Sequence, residues 1–301
     1  MSIKFIKYSK LYFILSGILI IASMVSIMIF GLKFGTEFTG GSIMELSFQN
    51  ERPSLDSIQQ TLSEFDLGEI VLQPVSDNEM VLRMKEIDGE THENVLSKMQ
   101  QAYQVEEKSF EMIGPTIGTE LKQKTRNAII LVFLAITLYI TIAFRKVSWS
   151  AIRSWQYGIA SLLALFHDII IPLGVLAVLG KLYNIEITIP VIAALLTILG
   201  YSVHDTIVIF DRIRENLLKA KFKSFEETVD ASLNQTLLRS ISTVFTVLIV
   251  LFAIFFFGGQ TLQSFSLTLI IGIFSGAYSS IFVASPLLVA WAKWRQNKGR
   301  V

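Results

Sequence analysis

Gly200-Tyr201-Ser202-Val203-His204-Asp205-Thr206-Ile207-Val208-Ile209-Phe210-Asp211-Arg212-Ile213-Arg214-Glu215 is an apolar helical stretch that carries a His-Asp doublet and then runs into a charged segment. An ionisable residue inside a membrane span is costly and marks a candidate functional site. Whether this stretch is such a span depends on what surrounds it. Of the 301 residues, 52% are hydrophobic and 17% are charged, whereas roughly a quarter are charged in soluble globular domains. About 20 apolar residues cross ~30 Å of hydrocarbon. Six segments meet that requirement, near 11–31, 127–144, 157–179, 187–210, 241–258 and 265–291. The chain therefore reads as a polytopic α-helical membrane protein. The first span is long and has no small-x-small cleavage site before Gly31, so we read it as a retained anchor rather than a signal peptide.

Lys and Arg near the span ends set the orientation. Lys4, Lys7 and Lys10 share one side with Arg145, Lys146 and Arg153. Arg212, Arg214, Lys219, Lys221, Lys223 and Arg239 lie there too, as do Lys293, Arg295, Lys298 and Arg300. The two short loops on the other side hold Lys181. Both termini are expected in the cytoplasm. The expected domains are 1–31 (N-terminus and first span), 32–126 (an extracytoplasmic module) and 127–301 (five spans). A cytoplasmic loop is expected at about 211–240.

The segment Lys33–Arg126 holds nine basic and seventeen acidic residues, a net charge of −8. Nucleic-acid binding needs a basic footprint, so we expect no such partner. The order reads strand, helix, strand, strand, helix, strand. Ser42–Phe48 alternates apolar and polar residues. Ser54 caps a helix carrying Leu55, Ile58, Leu62 and Phe65. Glu69–Val75 and Glu79–Ile87 flank a turn at Ser76-Asp77-Asn78. Thr91 is read as the cap of a second helix with Val95, Met99 and Ala102, and Val105–Ile113 is the last strand. This is the order of a small α+β, ferredoxin-like module. His92 falls in a polar helix start and reads as a solvated surface residue.

Several chemistries are excluded. With no Cys there is no disulfide, thiol catalysis or Cys-ligated zinc. Gly35-Thr36-Glu37-Phe38-Thr39-Gly40-Gly41-Ser42 matches a phosphate-binding loop except that Gly41 stands where the Lys is needed. A span precedes it and a strand follows, so Gly35, Gly40 and Gly41 read as a tight glycine turn. There is no HExxH pattern. We expect no enzyme, no cofactor and no metal.

His167-Asp168 and His204-Asp205 are the two intramembrane doublets. At 1.5 Å per residue Asp168 lies ~16 Å from the cytoplasmic end of its span and Asp205 ~8 Å, unless the latter helix continues through Asp211. Hydrocarbon disfavours the charged carboxylate, and imidazole titrates near neutral pH, so these groups suit a proton relay. The alternative is that they are hydrogen-bonded glue between helices. Arg239, at the start of the fifth span, either snorkels to the headgroups or faces inward as a charge partner for Asp205. Gly272, Gly276, Ser280 and Ala284 form a small-residue face for close helix contact. Pro172, Pro190 and Pro286 are candidate interruptions.

Gly200–Asn216, Gln235–Thr243, Phe257-Gly258-Gly259, Ala164-Leu165-Phe166-His167-Asp168 and the glycine turn with Phe34 and Phe38 occur in one order. With one span, an ectodomain and five clustered spans, the chain resembles the SecF members of the SecD/SecF family, within the resistance–nodulation–division transporter superfamily. The family usually has Asn where this chain has His204. The resemblance implies that the chain pairs with SecD as two pseudo-symmetric halves. It implies that Asp205 carries the proton, with Arg239 nearby, in a bacterial inner membrane whose outer side is the periplasm; Asp168 and His204 are candidates for the coupling group on the residues alone, and His167 and His204 read first as packing groups. It also implies partners in SecYEG, YajC, translocating preproteins and membrane lipid, and use of the proton-motive force to promote export; some members use sodium. Six spans with one ectodomain read as half of a larger transporter. Half of a small-molecule or lipid exporter and a passive scaffold are the competing readings.

Overall fold

A computed structural model describes residues 3–145, 152–219 and 222–297. Lys146, Lys221, Lys298 and Arg300, counted above towards the orientation, lie outside these residues. In chain order the elements are α1 (Ser9–Phe30), α2 (Thr36–Thr39), β1 (Gly41–Phe48), α3 (Leu55–Leu62), β2 (Val71–Pro74), β3 (Glu79–Met84), α4 (Gly89–Ala102), β4 (Val105–Ile113), α5 (Pro115–Ala143), α6 (Ser154–Tyr183), α7 (Ile189–Leu218), α8 (Phe225–Phe257), α9 (Gln260–Ser279) and α10 (Ser285–Asn297). Among the described residues six helices are long and apolar enough to cross a membrane, the last running through α9 and α10. The chain divides into two compact units: Phe34–Asn127, and the residues up to Lys33 together with those from Ala128 onward.

In the smaller unit the period-two alternation of β1 puts Met44, Leu46 and Phe48 in the core. The sheet order is β2-β3-β1-β4 with every pair antiparallel, the ferredoxin-like arrangement expected from the element order. Ile58 and Leu62 of α3 and Val95 and Met99 of α4 complete the core. Ser54 caps α3 by accepting from the Ser57 N–H.

The cap of α4 is Asp88 rather than Thr91, whose N–H donates to Asp88 Oδ1 at 2.8 Å. The Asp carboxylate stands three residues before that N–H, as a cap must. Thr91's hydroxyl and N–H together hold the Asp88 carboxyl below the usual carboxylate range. Phe65 lies beyond the end of α3 yet still packs on the core, because the chain turns at Leu62–Leu67 towards Gly68, where φ is +69°. His92 is not solvated. Its Nε2 lies 2.9 Å from Glu107 Oε2 and its ring stacks on Phe110 at 3.9 Å, since α4 lies over β4. The β1–β4 register shifts between Glu45 and Leu46, and Lys108, the extra residue, pairs with Glu79.

In the larger unit, glycine sets the closest approaches. A Cβ on Gly174 would run into Ser23 of α1, and one on Gly158 into Thr141 of α5. The connection Asn184–Thr188 turns at Asn184, whose φ of +55° is a left-handed value that Asn tolerates. Pro190 sits in the first turn of α7, where no N–H is needed. Pro172 is accommodated within α6, and Pro286 follows a π turn at Ser280–Ala284. Pro286 has no N–H for the carbonyl four residues back. Beside it, Ser285 Oγ donates to the Ser280 carbonyl at 3.0 Å, across the π turn.

The loop expected at about 211–240 is mostly helical. Ion pairs Arg212–Glu215 and Glu215–Lys219 carry α7 to Leu218, and Ser224 caps α8 by accepting from the Glu227 N–H. Charged pairs three and four apart support a helix as it leaves the apolar layer.

Candidate functional site

The continuation of α7 changes the depth of its carboxylate. Asp168 lies fifteen residues before the end of α6 and Asp205 sixteen after the start of α7. Measured from their shared connection, the two are ~22 Å and ~24 Å along their helices, one layer rather than two.

Asp168 is fully buried and surrounded by donors from three helices. Ser202 Oγ of α7 approaches Oδ2 at 2.5 Å, and Ser279 Oγ of α9 approaches it at 2.7 Å. His167 Nδ1 and Ser275 Oγ reach Oδ1 at 2.9 and 3.3 Å. The His167 ring is buried and stacks with Tyr278 at 5.8 Å, and its Nε2 has no partner.

Asp205 is built differently. Its Oδ1 accepts from Ser240 Oγ of α8 at 2.7 Å, while Oδ2 is buried with no hydrogen-bond partner among the described residues. At the next residue, Thr206 Oγ1 and Ser280 Oγ lie 2.8 Å apart. Ser202 and Thr206, three before Asp205 and one after it, are thus both tied to neighbouring helices. An open oxygen on a buried carboxyl group leaves room in its hydrogen-bonding capacity for a proton or another ligand.

His204 and Arg239 stay within electrostatic reach of Asp205 but turn outward. His204 is on the exposed side of α7, because successive helical residues diverge by about 100° and cannot both face inward. Arg239 is likewise exposed, and Ser240 beside it takes the carboxylate; among the described residues no ion pair joins Arg239 to Asp205. On α9, a Cβ at Gly272 would run into Ile198, and one at Gly276 would fall 3.0 Å from the Ser202 Cβ. Nearer the end of α7, Asn216 Nδ2 donates to Ser232 and Gln235 at 2.8 Å each, and Arg212 Nε donates to Gln235 at 2.6 Å. Two stretches picked out by sequence are so joined. Among the described residues no group of three or more His, Cys, Asp or Glu could hold a metal.

The glycine turn contains the single turn α2 after Gly35, then Gly40 at φ +80° and Gly41 at φ +143°. A Cβ on Gly40 would meet Pro115 at 2.8 Å, and one on Gly41 the Met84 carbonyl oxygen at 2.6 Å. Conformation and space both demand glycine there.

The partners missed by sequence reasoning are Ser202, Thr206, Ser275 and Ser279. A signal existed: Ser202 and Asp205 are three apart, and Ser275 and Ser279 four apart, so each pair shares a helix face.

Residues 91–294 match the family model described as "Protein export membrane protein SecD/SecF, C-terminal", and residues 25–51 match the SecD/SecF GG motif. Protein translocase subunit SecF of Thermobaculum terrenum is 38% identical, covering 96% of this chain and 94% of that protein. The corresponding subunit of Rickettsia felis is 34% identical over 98% of this chain and 93% of its own length. Among solved structures, SecDF from Thermus thermophilus, described as a translocon-associated membrane protein, superposes with a TM-score of 0.85 at 32% identity, covering 97% of this chain. A SecDF structure in a super-membrane-facing form gives 0.73 at 31% identity. The chain spans 39% and 40% of the length of those two SecDF chains. These relatives are transport components, and six apolar helices make this a multi-pass membrane protein. The chain belongs to the SecD/SecF family of protein-export membrane proteins.

Proposed function

We infer that the chain is the SecF-type half of a bacterial Sec export complex, works with SecD, and uses the proton-motive force to promote preprotein translocation. The observation that carries the coupling role is the open Oδ2 of Asp205, buried in a helix bundle with its other oxygen held by Ser240. An intramembrane carboxyl group of this kind can take a proton from one side and return it to the other. Its neighbours in this reading are Arg239, His204 and Asp168. The family relationship supports the partnership with SecD, and the length shared with SecDF, about two-fifths, fits one half of a larger assembly. Mid-helix His204 and Arg239 lie exposed among apolar neighbours such as Leu238 and Ile241. A polar group there is costly against lipid, so this face is where we place SecD.

The positive-inside pattern supports an inner-membrane orientation with both termini in the cytoplasm and residues 32–126 outside. In this reading 1–31 and 127–301 form the membrane part, and the chain acts as a transporter subunit rather than an enzyme. The glycine turn at Gly35, Gly40 and Gly41 joins the two parts, Gly272 and Gly276 close the helix packing, and SecYEG, YajC, the preprotein and lipid are the surroundings.

The test is preprotein export into inverted vesicles, with and without a proton gradient, comparing wild type with Asp205→Asn at equal expression. We expect the gradient-dependent part of export to vanish while assembly with SecD is intact. Unchanged export and gradient response would remove Asp205 from the coupling role.

A further inference from the structure

The two intramembrane carboxylates are not equivalent. Asp168 is met by four donors, Asp205 by one. Three of the four Asp168 donors are hydroxyls on two other helices, so its contacts join α6, α7 and α9 at a single point. The shortest, 2.5 Å, is to Ser202, and Ser202 is also the residue against which Gly276 packs. Ser202 therefore has Asp168 on one side and a glycine on another, with little freedom to move. It stands three residues before Asp205, on the same face of α7. The hydrogen bond between Thr206 and Ser280 secures the other side of Asp205.

We propose that Asp168 is a positioning residue and carries no transported proton: through Ser202 it fixes the rotation of α7 and so holds the open oxygen of Asp205 in place. A carboxylate already supplied with donors on both oxygens has no free capacity to use. A carboxylate with one open oxygen has. The cage is a clasp made of four side-chain contacts within the bundle. Gly276 belongs to the same device, since a Cβ there would already press on Ser202 at 3.0 Å and a larger side chain would displace it from Asp168. Among the described residues the titratable groups that act on Asp205 are His204 and Tyr201 on its own helix and Arg239 on α8; α6 carries Asp168 on Ser202 and His167 stacked with Tyr278 of α9.

The proposal rests on the reading of Asp205 as the proton carrier, and infrared difference spectroscopy separates the two. The full chain in lipid bilayers is titrated while the carbonyl band of protonated carboxyl groups is followed. Wild type is expected to show a pH-dependent band that Asp205→Asn removes. Asp168→Asn should retain that band with its midpoint moved by about one pH unit, because Asp205 is no longer held in one orientation. Ser202→Ala, the milder change, should move it in the same direction, and the double variant no further, since both substitutions break one link. A second titrating band that disappears in Asp168→Asn would overturn the proposal, making Asp168 a carrier. So would a band unmoved in both Asp168→Asn and Ser202→Ala. A band that survives Asp205→Asn defeats the proton-carrier reading instead, whatever the other variants do.

Discussion

Ser240 is the residue on which the geometry of Asp205 depends most directly. It is buried and donates the one hydrogen bond that carboxyl group receives. Ser240→Ala leaves a second buried oxygen without a partner. We expect it to lower gradient-driven export by roughly tenfold, equivalent to ~1.4 kcal/mol, with subunit levels unchanged on immunoblots. Gly276 makes a different demand. Gly276→Leu places a side chain where Ser202 stands, and overpacking of this kind costs about 1–3 kcal/mol. A lowered melting temperature of the detergent-solubilised chain checks it. At this scale the sequence was informative about which carboxylates lie in the membrane and silent about what they touch. Asp168 and Asp205 share an identical His-Asp context, and only the crossing of α6, α7 and α9 gives the first a cage and the second an open oxygen. Arg239 shows the same limit: one residue decides whether a side chain faces in or out, and the helix phase awarded the inward place to Ser240.

The helices were legible in number and order but not in extent. Hydropathy marks only the part of a helix that lipid solvates, so α7 and α8 were each read as ending where their charges begin. The ion pairs at Arg212–Glu215 and Glu215–Lys219 and the cap at Ser224 continue them. The π turn was not legible either; Pro286 marks the place, but the turn closes through Ser285 Oγ on the Ser280 carbonyl. Deleting one residue from Ser280–Ala284 would convert that turn to an α turn. We expect α10 to keep its phase and the burial of Leu288 and Val289, because a π turn holds one residue more than an α turn. An unchanged steady-state level of the chain would report it, and a marked loss would show that the π turn itself is needed.

In the smaller unit, α4 carries a pH signature. The Asp88 carboxyl is held below its unfolded value by Thr91, so its contribution is present above the ordinary carboxylate range and is lost as pH falls through the lowered value. The protection of the first-turn amides of α4, taken relative to the intrinsic exchange rate at each pH, should fall on acidification. In Asp88→Ala that turn should exchange faster at neutral pH and respond less to acid.

On the scale of the whole molecule, what matters is which surfaces remain uncovered. Outer faces of α1 and α8 carry Leu11, Ile14, Ile18, Phe245, Ile249 and Phe256, the composition lipid solvates. His204 and Arg239 do not fit that pattern. The chain has no Cys, so a single one introduced at Leu238 or Ile241 is a unique probe. We expect it to cross-link to SecD in intact membranes and a Cys at Phe256 not to; equal cross-linking from both places would displace SecD from this face.

The sheet order carries a consequence for the making of the protein. β1 lies between β3 and β4, yet it leaves the ribosome before either. At about 5–20 residues per second, the interval between Phe48 and Ile113 lasts on the order of seconds. Throughout it Met44, Leu46 and Phe48 have no finished core to enter. The nascent chain thus offers an apolar strand with two open edges to any holding chaperone, and loss of that protection would damage this unit while the membrane helices were still being inserted.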